Sequence, residues 1–265
     1  MLLLAFICLA PPLWVMLSSV KNVKEFYQVP PTIIPRTLEF EKIIEVWKKL
    51  NFFKFYGNTL ALAAGNIVCA VLFNGLAGFV LSRLKPKGSK IVFMVILWTM
   101  IIPNSVSMIP LFKNIINVPL LNINLSNSFL PLWLMAGASA YYIIIFKSFF
   151  DGIPASLVEA ARLDGCNNIN IFARIIVPLS KPVIIVIVIF TLNGTWSDFL
   201  WPYLILKEPE KYTVMVKIFT LKSSTGFPMD VQMVALVFAI IPPAVLFMFF
   251  QRYIMQGFTL SGIKG

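Results

Sequence analysis

Histidine is absent from the 265 residues, which removes imidazole bases and histidine metal ligands from consideration. Cysteine is scarce: Cys8, Cys69 and Cys166 are odd in number and two lie in apolar runs, so no disulfide framework is implied. No G-x-x-x-x-G-K-[ST] stretch occurs, and the chain therefore has no Walker-type phosphate cradle of its own. Paired carboxylates, a serine nucleophile elbow and a cysteine ligand cluster are also missing, which leaves a membrane enzyme without a catalytic constellation. Charge itself is sparse, at 12% of residues against roughly a quarter in an ordinary soluble domain.

What fills the chain instead is apolar. Hydrophobic residues make up 59% and the mean hydropathy is +0.87, so water alone is not its solvent. A bilayer core about 30 Å thick asks for roughly 20 mostly apolar residues per helix. Six stretches meet that demand, at about 1–20, 58–84, 91–112, 125–150, 182–206 and 231–254. Transmembrane β-strands would alternate over about ten residues, and the run VIIVIVIF from Val183 to Phe190 does not. The expected fold is an all-α polytopic membrane protein with six transmembrane helices in one domain, 1–265. The first stretch has no positive n-region and no small-residue cleavage site before Lys21, and is read as a helix, not a signal peptide. Its abrupt start leaves room for a short N-terminal segment beyond this chain.

The formal charge of +11 is spread through loops instead of forming one patch, so anionic lipid headgroups, not nucleic acid, are the expected counter-charge. Raw counting does not orient the chain. One set of loops holds Arg83, Lys85, Lys87, Lys90, Lys147, Arg162, Arg174, Lys181, Arg252 and Lys264, ten of the 22 cations, and the other set holds twelve. Density favours placing Ser82 to Lys90 inside, with four cations in nine residues. Both termini are then expected to be cytoplasmic.

Lys21 to Gly57 combines a proline-stiffened VPPTIIP with FEKIIEVWKKL, whose Ile43, Ile44, Val46, Trp47 and Leu50 predict an amphipathic helix capping the bundle. Lys207 to Asp230 mixes charge, β-branched residues and a Gly-Phe-Pro turn.

The central interruption, EAARLDGCNNINIFARIIVP from Glu159 to Pro178, is the most informative stretch. Pro154 suits a first helical turn, and Gly165 supplies the left-handed residue that ends a helix. Asn167 or Asn168 then caps a second helix, and Pro178 and Pro182 interrupt the chain before the fifth span. Leu157, Ala160 and Ala161 are expected on one face of the first helix, and Ile169, Phe172, Ala173 and Ile176 on one face of the second. The small Ala160 and Ala161 permit close approach of a partner, with Glu159 and Arg162 as flanking charges. Two readings fit this chemistry: a docking surface, or a helix pair lying on lipid headgroups.

At these residues the chain resembles the membrane-spanning subunit of binding-protein-dependent ABC importers, whose signature is E-A-A, three residues, G, nine residues, then I-x-L-P. Glu159, Ala160, Ala161, Gly165, Ile175 and Pro178 match at that spacing, with Val177 in place of the leucine. The resemblance runs over essentially the whole chain and narrows to the carbohydrate branch, similar to the second permease subunit of the maltose transporter. PPLWVMLSSVK, VPPTIIP, NTLALA, WSDFLWP and the terminal QRYIMQGFTLSGIKG carry it.

The resemblance implies a type I importer fold, a prokaryotic cell-membrane location and a non-catalytic subunit. It implies pairing with a second, usually non-identical permease and with an extracytoplasmic sugar-binding protein. Two cytoplasmic ATPase subunits would hold the ATP and Mg²⁺ and grip the 151–181 loop through Glu159, Ala160, Ala161, Arg162, Gly165, Phe172, Ile175 and Pro178. The tail residues Gly257, Thr259, Gly262 and Lys264 would also contact the ATPase.

Polar groups in the spans mark the expected sugar path: Asn66, Asn104, Asn193, Trp196 and Asp198. The same groups equally suit helix-to-helix bonding and interfacial belts. Asp198 lies about 24 Å along a helix from Pro182, near one membrane face. An ion-coupled secondary transporter is the rival mechanism, but it leaves the Gly165 loop unexplained.

Overall fold

The structure, a computed structural model, describes the backbone at 2–30, 32–223 and 227–262, and the side chains there other than at 2, 3, 5, 104, 222, 223 and 252–262. Among the described residues the regular structure is all helical. The helices are α1 (Leu2–Ser19), α2 (Glu41–Lys49), α3 (Phe52–Leu84), α4 (Ser89–Thr99), α5 (Asn104–Ile116), α6 (Leu130–Ala136) and α7 (Ala140–Asp151). They continue as α8 (Ala155–Leu163), α9 (Asn168–Leu179), α10 (Lys181–Ser197), α11 (Leu200–Ile205), α12 (Val214–Ser223) and α13 (Met229–Gly262).

Among the described residues, only α3 and the Met229–Gln251 part of α13 are long and apolar enough to cross a bilayer unbroken. Three of the other expected spans, at 91–112, 125–150 and 182–206, are interrupted, whereas the first is the single helix α1, and several boundaries are corrected. The stretch at 91–112 is two helices, because Pro103 before α5 cannot donate to a preceding turn and keeps Ile102 from helical dihedrals. The stretch at 125–150 is α6 and α7, bent by 42°. The stretch at 182–206 ends early, at Ser197, where Asp198 turns the chain into the short α11. The second span starts earlier than position 58, because Phe52 and Phe55 are buried and pull six more residues into α3. The last helix runs past 254 to Gly262.

The bend between α6 and α7 has an identifiable support. Asn74, fully buried on α3, donates to the Ala136 carbonyl at 2.9 Å and accepts from the Ser139 amide at 2.9 Å. A side-chain amide thus replaces the backbone partners that the break removes, as an apolar surrounding requires.

The chain forms two compact units, residues 1–61 with 196–249 and residues 62–195 with 250–265. In the first, Val46, Leu50, Phe52, Phe55, Trp196, Val214, Val234 and Phe238 form the core. α2 packs onto it as the amphipathic pattern predicts, with Val46 buried and Trp47 4.9 Å from the Phe238 ring. Ile44 is the exception, because it lies on the outer face. The 207–230 segment contains a helix, α12, that its mixed composition conceals. Asn58 donates to the Glu210 and Tyr212 carbonyls at 2.8 and 2.9 Å, and Thr59 Oγ1 accepts from the Val214 amide at 3.0 Å. Part of the expected Gly-Phe-Pro turn lies outside the described residues.

The second unit is built on Ala70, Phe79, Phe146, Phe150, Ile171, Ile176 and Ile187. α3 and α7 meet closely at Gly78, where an added Cβ would fall 2.7 Å from Phe146 Cβ.

Candidate functional site: the 151–181 segment

Between α7 and α10 the chain leaves the apolar helices and folds into α8, a glycine turn and α9. Pro154 stands at the N-cap position of α8, as its missing N–H allows. The helix ends at Gly165, whose φ of +80° is the left-handed conformation. Around it the Cys166 amide donates to the Ala161 carbonyl at 2.9 Å and the Gly165 amide to the Arg162 carbonyl at 3.0 Å. That pair of bonds is a Schellman end. Of the two asparagines, Asn167 is the cap: its side chain accepts from the Asn170 amide at 2.8 Å.

α9 contains a π turn over Phe172–Ile176, which inserts an extra residue and advances the phase of every later side chain. The buried set is therefore not the expected stripe. Ile171 and Ile176 are fully buried and Phe172 and Ile175 partly so, while Ile169 is 77% exposed and Ala173 faces outward. In α8 the buried residues are Val158 and Ala161, whereas Leu157 and Ala160 point out. Ala161 belongs to this chain's own core and is not free for a partner's approach.

The outward face carries Leu157, Glu159, Ala160, Arg162 and Gly165, together with Leu163 at 90% exposure. Leu163 has no counterpart in the sequence reading, although its spacing of three residues from Ala160 places it on that face. Leu163 and Ile169 straddle the glycine turn as two apolar knobs. Among the described residues neither Glu159 nor Arg162 has an ion-pair partner. The Phe172 ring lies tilted by 47° against Phe79 of α3, with centroids 5.2 Å apart, and Pro178 is exposed within the last turn of α9. The sharp break is not at Pro178 but at Ser180, where α9 and α10 meet at 79° and the Ser180 side chain bonds the Ile176 carbonyl at 2.6 Å.

The polar residues expected along a path are dispersed. Asn66 donates to Thr195 Oγ1 at 2.8 Å, and its Oδ1 is buried without a partner. Asn193 is exposed on α10 beside Gly194, which has open space around it. Asn104 opens α5, and its side chain lies outside the described ones. Trp196 is buried and donates to the Ala239 carbonyl at 3.0 Å. Asp198 accepts from the Leu200 and Trp201 amides at 3.0 and 3.4 Å, which starts α11. Gly257, Thr259 and Gly262 continue the helical backbone of α13, and Lys264 lies outside the described residues.

An apolar cavity of about 450 Å³ lies between α3, α7, α9 and α10, lined by Gly75, Phe146, Phe150, Phe172 and Ser180 among others. The Ser180 hydroxyl is already committed to Ile176, so the cavity offers a polyhydroxylated ligand no anchor.

Residues 70–259 match the family described as binding-protein-dependent transport system inner membrane component. The chain is 31% identical over 267 residues to the arabinooligosaccharides transport system permease protein of Bacillus subtilis (strain 168), covering 100% of this chain and 93% of that one. It is 27% identical to the melibiose/raffinose/stachyose import permease protein of the same organism, over 96% of this chain and 91% of the relative. Its fold is similar to a chain in the crystal structure of a bacterial ABC transporter involved in import of the acidic polysaccharide alginate. The TM-score there is 0.81 at 24% identity, covering 95% of this chain and 92% of that one.

Proposed function

This chain belongs to the binding-protein-dependent transport system inner membrane components, and from that premise we propose that it is the permease subunit of an ATP-driven importer for a sugar or sugar oligomer. The observation that carries the mechanism is the outward face of α8 and the glycine turn, backed by the buried Val158, Ala161, Ile171 and Ile176. A solvated loop has no need of Leu163 and Ile169 on its surface, whereas a socket on a partner does. The names of the relatives support a carbohydrate substrate.

In this reading six spans form the bundle, with the third, fourth and fifth broken, and both termini are cytoplasmic. The 151–181 segment docks on one of two ATPase subunits through Glu159, Ala160, Arg162, Leu163, Gly165 and Ile169. Phe172, Ile175 and Pro178 pass the movement to α3 and α10. ATP and Mg²⁺ sit on the ATPase, so this subunit does no chemistry itself. Closure of the ATPase pair displaces the segment and rocks the helices it joins, a two-state change driven by a partner that binds the two states unequally. A second permease completes the pore, and an extracytoplasmic binding protein delivers the sugar. On this chain Asn193, on an exposed helix face, is the path residue best placed to meet a hydroxyl, and Asn66, whose Oδ1 is buried, would have to be uncovered first. Asn104, Trp196 and Asp198 complete the proposed path, and Gly257, Thr259, Gly262 and Lys264 a secondary ATPase contact.

Purification of the chain in detergent from cells expressing the whole transporter tests this. A stoichiometric ATPase is expected to co-purify, and labelled sugar uptake into proteoliposomes is expected to require ATP. A chain that purifies alone and transports on a proton or sodium gradient overturns the reading in favour of ion coupling.

A further inference from the structure

Behind the docking face, the root of the 151–181 segment is tied to one place on the bundle. α3 ends in a π turn over Val80–Leu84, closed by the Lys85 amide on the Val80 carbonyl at 2.9 Å. The extra residue in that turn lets two adjacent side chains, Ser82 and Arg83, reach the end of α7 together. The Arg83 guanidinium donates to the carbonyls of both Phe150 and Ile153. Ser82 Oγ donates to Asp151 at 2.6 Å, and Lys147 pairs with the same carboxylate at 2.6 Å. Phe150 and Ile153 are buried, as is Arg83 Nε, which has no partner. Residues 150–153 are thus gripped through one carboxylate and two carbonyls.

A guanidinium suits this position for two reasons. The Phe150 carbonyl stands at the C-terminus of α7, where partial negative charge collects, and its i+4 residue, Pro154, has no N–H to offer, so the Ile153 amide donates to it instead, at 3.1 Å. Both carbonyls accept from the same Nη2, whose two N–H bonds diverge in the fixed guanidinium plane, and a guanidinium is more weakly hydrated than an ammonium and is buried at lower cost. The glycine turn and α8 have no comparable polar tie to the other helices of this unit among the described residues, and are held by apolar packing. Apolar packing has no preferred direction, whereas charge-assisted bonds from one planar group resist displacement in direction as well as distance.

Resting on the coupling role proposed above, we propose that Arg83 is the positioning residue that makes the end of α3 move with the root of the 151–181 segment. Movement imposed at Leu163 and Ile169 reaches α7 and α8 by covalent continuity. It reaches α3 through the Arg83 guanidinium, and α3 is a 33-residue helix long and apolar enough to cross a bilayer.

The test uses the assembled transporter in proteoliposomes, with wild type, Arg83→Met and Arg83→Lys. Arg83→Met keeps the apolar stem and removes both bonds. It is expected to co-purify with the ATPase at wild-type stoichiometry and to retain basal ATP hydrolysis. Sugar transport per assembled complex, and stimulation of the ATPase by loaded binding protein, are expected to fall at least about fivefold, the lower end of coupling between linked sites. Arg83→Lys is expected to lie between the two, and it is the variant read if Arg83→Met does not assemble. Unchanged transport per complex in either assembled variant overturns the proposal. So does a loss in which complex yield, hydrolysis and transport fall in step, because that marks a residue acting on stability alone. If the wild-type chain brings no ATPase, the coupling role of the whole segment fails first, independently of either variant.

Discussion

The Cys166 amide reaches back five residues to the Ala161 carbonyl at 2.9 Å, and this bond exists because Gly165 between them lies at φ +80°. An L side chain in that conformation costs roughly 1–2 kcal/mol. No atom lies within 4 Å of where a Cβ would sit. Substitution here therefore strains the backbone without causing a clash.

Gly165→Ala is expected to insert and purify normally but to lower ATPase co-purification and uptake by about tenfold, the factor that about 1.4 kcal/mol represents. Gly165→Asn, which tolerates the left-handed region, is expected to recover most of the loss. Equal uptake by Gly165→Ala and wild type would show that the turn's geometry is not used.

The outward and inward faces of the segment should separate cleanly. Leu163→Asp and Ile169→Asp place charge on exposed positions and are expected to leave the folded chain intact while abolishing ATPase co-purification. Val158→Asp buries a carboxylate in the core and is expected to reduce the amount of folded protein, seen as aggregation in size-exclusion chromatography. If Leu163→Asp retained the ATPase, the docking face would lie elsewhere.

Asn74→Leu removes both bonds that bridge the α6–α7 break and leaves the Ala136 carbonyl and the Ser139 amide without those partners. Each unsatisfied buried group costs about 1–3 kcal/mol. Thermal unfolding in detergent is expected to shift down by several degrees, whereas Asn193→Leu, at an exposed position, is expected to leave it unchanged.

Acid should loosen the 21–39 segment. Glu25 is buried and accepts from the Arg36 and Thr37 amides and the Thr32 and Thr37 hydroxyls. The Arg36 amide, above all, holds its carboxyl below the ordinary 4.5. Glu39 is lowered as well, first by the Asn22 side chain and then by Lys42. A lowered folded-state pKa contributes stability above the unfolded value and loses it as pH falls through the folded one. Hydrogen-exchange protection of the Arg36 and Thr37 amides, corrected for the intrinsic rate, is expected to be constant from pH 7 to about 5 and to collapse below the ordinary carboxylate range. Glu25→Gln is expected to show weakened protection already at pH 7.

The turn at Gly165 and a cap at Asn167 or Asn168 were legible in the sequence because both follow from backbone rules that act over four or five residues, and the structure selected Asn167. The burial stripes of the same segment were not. Their phase depends on the π turn at Phe172–Ile176, and no local pattern announces it. Arg83 and Lys147 read as cations in loops, and only the fold shows Arg83 aimed at two carbonyls and Lys147 closing on Asp151. Trp196 and Asp198 read as candidates for a sugar path, yet their polar atoms are engaged with Ala239 and with the start of α11.

Composition by itself determined the solvent, the helical class and the location of the polar interruption, because apolar run length and charge content answer to the bilayer and not to any partner element. The spacing of Glu159, Gly165 and Pro178 determined the kind of interruption, because turn chemistry is local. Tertiary structure alone decided where the spans break, which residues of the interruption face outward, and which polar groups are already satisfied. Those outcomes depend on hydrogen bonds between residues far apart in the chain, such as Asn74 to Ala136, Thr59 to Val214 and Arg83 to Ile153, and the energy of such a bond is invisible until both partners are placed.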